Sequence, residues 1–149
     1  MRGVFLLISF FVATSFTHDV AVAVFTLSDS GDHLQLKVVL DRAHLSQELQ
    51  IQESAIDVKN IQEYLTDHTQ FRFDETENPI VINQIKNDAD HIIAQGVFIK
   101  RIEDYNTLII KNTTLITIPS HSNIVRLRVR NAERDFRMHK GRKEITIAY

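Results

Sequence analysis

The chain has 149 residues, of which 44% are hydrophobic and 24% charged, with a formal net charge of −2; that balance excludes wholesale disorder and suits one folded domain. It contains no cysteine, which excludes a disulfide framework, a thiolate metal site, a thiol nucleophile and a lipid-modified N-terminal cysteine. With only 4 glycines and 2 prolines it is neither collagen-like nor a linker.

Residues 1–17 read as a secretion signal. Met1-Arg2-Gly3 is a short positive start, residues 4–12 form an apolar run broken by Ser9, and Ala13-Thr14-Ser15-Phe16-Thr17 supplies small residues for a signal peptidase. The run is about half the ~20 residues that a membrane-spanning helix needs. The pattern predicts export to the periplasm or beyond, cleavage within 15–17, and a single β-rich domain over 18–149 with no transmembrane helix.

Period-two alternation follows. Residues 20–27 are apolar on both faces, as in a doubly covered strand. The turn cluster Ser28-Asp29-Ser30-Gly31-Asp32 joins them to Leu34, Leu36, Val38 and Leu40, which alternate mainly with polar residues and predict a half-buried antiparallel partner. Leu45 and Leu49, four apart behind Asp41, predict a short capped helix. Asp57 predicts a second cap, with Val58, Ile61, Leu65 and His68 as the helical stripe.

Strands return at 71–73, 80–82 and 91–102, where Gly96 suggests a bulge, and again at 108–115, 124–130, 136–138 and 145–149. The sum is a mostly β, α+β chain: an antiparallel β-sandwich or curved sheet of about eight strands, with a short helical insertion after the second strand.

A resemblance rests on landmarks in this order: His18 after the signal, the hairpin at 20–40, Asp41 with Leu45 and Leu49, and Tyr64-Leu65. Asn112-Thr113-Thr114-Leu115, Asn123-Ile124-Val125 and Ile145-Thr146-Ile147-Ala148-Tyr149 complete it. The chain resembles a family of small secreted bacterial proteins of unknown function. More distantly it is similar to the extracytoplasmic N-terminal region of membrane proteins related to hydrogenase and urease accessory metal transporters. The resemblance implies an exported β-rich domain and no particular activity. Where that family is expected to carry His-Pro at the mature start, this chain has His18-Asp19.

Three chemistries can be weighed. The 7 histidines show neither an i, i+4 pair nor an H-E-x-x-H pattern. His18 is the one metal candidate: exposed by cleavage after Thr17, its α-amine and imidazole could chelate copper. Hydrolytic chemistry has no nucleophile motif, and the acids at 74, 75 and 77 and at 88 and 90 fall in predicted turns, so no catalytic residue is assigned. Charge layout says most. Residues 18–120 carry 8 basic and 16 acidic side chains, whereas 121–149 carry 8 basic and 3 acidic. Arg126, Arg128 and Arg130 alternate with Leu127 and Val129, which predicts three guanidinium groups on one strand face. That face either pairs with acids on neighbouring strands or takes an anionic partner, an envelope component or an acidic protein. Nucleic acid is not expected, since export removes the protein from it and no stacking aromatics accompany the arginines.

Overall fold

The computed structural model describes residues 21–30, 33–100 and 104–149. The predicted signal segment and His18 lie outside the described residues. The first strands, β1 (Val22–Ser30) and β2 (His33–Asp41), form the antiparallel hairpin that the alternation predicts. Ala23, Phe25 and Leu27 of β1, and Leu34, Leu36, Val38 and Leu40 of β2, all point into the core. On the other face of β1, Val22, Val24 and Thr26 are half-buried rather than covered.

Helix α1 (Arg42–Leu49) starts where Asp41 accepts a 2.8 Å hydrogen bond from the His44 N–H, and ends at Gln50, whose φ of 55° is left-handed. Helix α2 (Val58–His68) opens on a reciprocal cap: Asp57 accepts from the Asn60 N–H at 2.8 Å, and the Asn60 side chain accepts from the Asp57 N–H at 3.1 Å. Such a cap contributes about 1 kcal/mol. The buried face is Ile61, Tyr64 and Leu65; Val58, one turn ahead, remains exposed.

The remaining strands are β3 (Thr69–Phe73), β4 (Thr76–Glu77), β5 (Ile80–Asp88), β6 (His91–Phe98), β7 (Thr107–Asn112), β8 (Ser122–Val129), β9 (Ala132–Met138) and β10 (Glu144–Ala148). They assemble into a six-stranded sheet, β5-β6-β2-β1-β8-β9, and a four-stranded sheet, β10-β7-β3-β4. The fold is thus mostly β, as expected, with ten strands rather than about eight. The predicted strand at 80–82 runs on to Asp88, and the tight β3–β4 turn at Asp74-Glu75 adds a two-residue strand. One pairing departs from an antiparallel plan: β1 and β8 are parallel, with Val24 opposite Ile124 and Leu27 opposite Leu127. A parallel pair needs a long crossover, and here it is most of the chain, so no local turn signal announces it.

The core fills the space between the sheets. Phe98 of β6 meets Phe71 and Phe73 of β3 edge-on, at centroid distances of 5.3 and 5.4 Å, which ties one sheet to the other. The predicted bulge lies opposite Gly96, on β5 between Ile82 and Gln84. A side chain at Gly96 would meet the Val81 carbonyl oxygen at 2.8 Å. Helix α2 then covers the start of the β5 edge, because Gln62 acts as a surrogate strand there. Its Oε1 accepts from the Ile82 N–H at 2.7 Å and its Nε2 donates to the Ile80 carbonyl at 2.9 Å.

Candidate functional site

Of the three arginines singled out from the sequence, the β8–β9 turn sets Arg130 apart from the other two. Arg126 and Arg128 do share the outer face of β8, but each faces an acid across the ladder. The Arg126 guanidinium holds Asp135 through both Nε and one terminal nitrogen, at 3.1–3.2 Å, and Arg128 meets Glu133 at 3.0 Å. Their partner carboxylates hold Arg126 above its usual pKa, the Asp135 hydrogen bond contributing most. Arg130 does not continue the face. β8 ends at Val129, and Arg130 and Asn131, with φ of 53° and 59°, form the two-residue turn into β9. Its guanidinium stacks instead over Tyr105 and Tyr149, at 4.1 and 4.8 Å.

Among the described residues, Arg137 and Lys140 at the far end of β9 have no acid in ion-pair contact. An open groove of about 600 Å³ lies between residues 116–122 and the stretch from Arg137 to Lys140. Arg137, His139 and Lys140 line one side and His121 the other, and no lining residue is acidic. Outside the lining, Glu48 of α1 accepts from the hydroxyl of Thr117 on the groove wall at 2.6 Å. The Arg137 Nε donates to Ser122 Oγ at 3.0 Å, which orients the guanidinium and leaves its terminal N–H groups for other acceptors. His139 Nδ1 accepts from the Gly141 N–H at 3.1 Å, so the neutral ring carries its proton on Nε2 and is a donor there in either charge state.

The loop on the opposite wall is held by a buried polar cluster. Asn123 Nδ2 donates to Asn112 Oδ1 and to the Thr114 carbonyl, at 3.1 and 2.9 Å, which leaves Asn123 Oδ1 to accept from His121 Nε2 at 3.0 Å. Asn112 Oδ1 also accepts from the Thr114 N–H, and the Tyr64 hydroxyl accepts from the Leu115 N–H, both at 2.9 Å. Burial pushes His121 below the ordinary histidine pKa, so its ring is neutral at pH 7. Leu115 and Ser120 sit at φ of 52° and 61°, backbone geometry that this network holds in place. A loop so fixed presents one shape to a ligand. Sequence reading reached Arg137 and Lys140 only as two of the 8 basic side chains in residues 121–149. It missed the network, because Asn112, Thr114, His121 and Asn123 converge only once β7 and β8 sit next to the loop between them.

Among the described residues no three histidines, aspartates or glutamates gather as metal ligands, and no helix is long and apolar enough to cross a membrane. Asp74, part of one of the acid clusters, is a bracket: its carboxylate accepts from the Asn106 and Thr107 N–H groups at 2.8–3.0 Å. Compared with known proteins, the chain matches no protein-family model and no curated protein.

Proposed function

We propose that this is an exported, non-catalytic binding module of the cell envelope that holds an anionic group in the groove at the end of β9. The observation that carries the reading is the lining: Arg137, His139 and Lys140 converge on one wall, and no lining residue is acidic. Opposite lies a loop ordered before any ligand arrives, which lowers the entropic cost of binding. The hydrophobic start at residues 4–12 supports export, and the basic excess after residue 120 supports an anionic partner.

The test is amide chemical-shift mapping with two probes, a polyuronate oligosaccharide and vesicles containing phosphatidylglycerol. One of them should perturb residues 116–122 and 137–140, with an effect that fades as salt rises and is lost in Arg137→Gln/Lys140→Gln. Shifts elsewhere, or none with either probe, would remove the groove from the account. N-terminal sequencing of the secreted protein checks the export half, with a start between Phe16 and His18 expected and a retained Met1 against it.

A further inference from the structure

The two edges of the six-stranded sheet are treated differently. The β5 edge is bulged, and Gln62 caps it over residues 80–82. Strand β9 is seven residues long, contains no proline and no bulge, and among the described residues nothing pairs with its outer side. Natural sheets blunt such edges because their free N–H and C=O groups invite another strand.

The backbone polarity of β9 follows from its hairpin. A two-residue turn closes on a hydrogen-bonded pair, here Val129 and Ala132, and bonded and non-bonded pairs alternate from there. Arg134, Phe136 and Met138 therefore bond inward to β8. Glu133, Asp135 and Arg137 turn their N–H and C=O groups outward.

We propose that this edge joins two copies of the chain, antiparallel, across a two-fold axis at Phe136. A two-fold contact must be self-complementary, and the outward residues restrict the register. Pairing centred on Arg134 sets Glu133 against Asp135. Centring on Asp135 sets that residue against its own copy, a central repulsion between two Glu133–Arg137 pairs, and centring on Arg137 sets two arginines together. Only centring on Phe136 sets Asp135 opposite Arg137 of the second copy, twice by symmetry. That register gives four inter-copy backbone hydrogen bonds, two opposite-charge pairs and a contact between the half-buried Phe136 rings. It ends where His139 turns away to bond Arg142. The product is a continuous twelve-stranded sheet. This inference rests on backbone polarity and does not require the groove to bind an anion; the second copy's Asp135 and a groove anion would compete for Arg137.

Sedimentation equilibrium tests it. The purified chain should form a concentration-dependent dimer. Asp135→Arg or Arg137→Asp alone should weaken it about tenfold, by setting like charges opposite, and the double exchange should restore it. A monomer at every concentration overturns the proposal, as does a dimer indifferent to the exchange, which would place the contact elsewhere, for instance on β10. Since Asp135 also holds Arg126, hydrogen exchange on the unaltered protein gives a second reading. The Asp135 and Arg137 amides should exchange fast in dilute solution and slow as the dimer fills. Unchanged exchange in a dimeric sample, or protection only on adding an unrelated extended peptide, also overturns self-pairing.

Discussion

The Arg130 guanidinium lies 4.1 Å from the centroid of the Tyr105 ring, at the surface end of an aromatic series that begins in the core. Phe98 packs against Phe73, Phe73 against Tyr105 at 4.9 Å, and Tyr105 against Tyr149 at 5.1 Å, each edge-on. Arg130 thus clasps the β8–β9 turn of the larger sheet to the end of β10 in the smaller one. The turn is fixed from the other side as well, where Asp29 accepts from the Arg130 N–H at 2.7 Å. Arg130→Ala should cost about 1 kcal/mol of stability in urea unfolding, and Arg130→Lys less, because a lysine keeps the charge but loses the planar stack. A loss in Lys equal to that in Ala would show the planar stack, and not the charge, to be what matters.

The three tyrosines give the fold an alkaline limit. Burial pushes the Tyr64 hydroxyl up to about 12, and burial likewise raises Tyr105 and Tyr149. A phenol whose folded pKa lies above its unfolded value, near 10, contributes stability that is complete below pH 10 and is lost as pH rises toward the folded value. The melting temperature should hold to about pH 9.5 and then fall steeply. Phenolate absorbance near 295 nm should appear together with unfolding. Tyrosines that ionise near pH 10 in a still-folded protein would contradict this.

The acid side is set in part by His121. Its folded pKa lies below the usual value through burial, so the unfolded chain takes up that proton first. Its contribution is complete above about pH 6.5 and is lost as pH falls from there through the folded value. Urea midpoints should drop between pH 7 and pH 5, and His121→Gln, though less stable at pH 7, should show a shallower decline. An equally steep decline in the variant would assign the acid limit to the carboxylates.

Gly96 has no room for a side chain. A Cβ there meets the Val81 carbonyl at 2.8 Å and side-chain atoms of Ile80 and Ile82 at 2.9 Å. Gly96→Ala should therefore destabilise by about 1–3 kcal/mol, because a strand backbone has to move and no flexible side chain can yield in its place. An alanine variant as stable as the parent would mean that the β5 bulge relaxes freely.

Features fixed by neighbouring residues were legible in the sequence. The β1–β2 hairpin, the Asp41 and Asp57 caps and the alternation of β8 all depend on spacings of two to four residues, and the structure shows each of them. Arg126 and Arg128 fall on one face as their spacing implies, but only the register of β9 brings Asp135 and Glu133 opposite them. Arg130 was misplaced because alternation was carried one residue too far, into a turn whose Arg-Asn sequence lacks the usual glycine. The groove and the Gln62 seal were invisible for a different reason. Their members lie on separate elements, and no local rhythm encodes which elements become neighbours.

The parallel bond between β1 and β8 fixes the order in which the molecule can be completed. The β1–β2 hairpin is finished by residue 41, yet its second neighbour does not begin until Ser122. A nascent chain shorter than that carries β1 as a bare edge, with Phe25 and Leu27 deprived of the Val125 and Leu127 neighbours that flank them in the finished sheet. Closure of this sheet must therefore wait for the chain from Ser122 onward, and contacts so distant in sequence form slowly. A chain built in this way stays unclosed until it is nearly complete, and truncation before β8 leaves β1 with an open edge in place of a smaller domain.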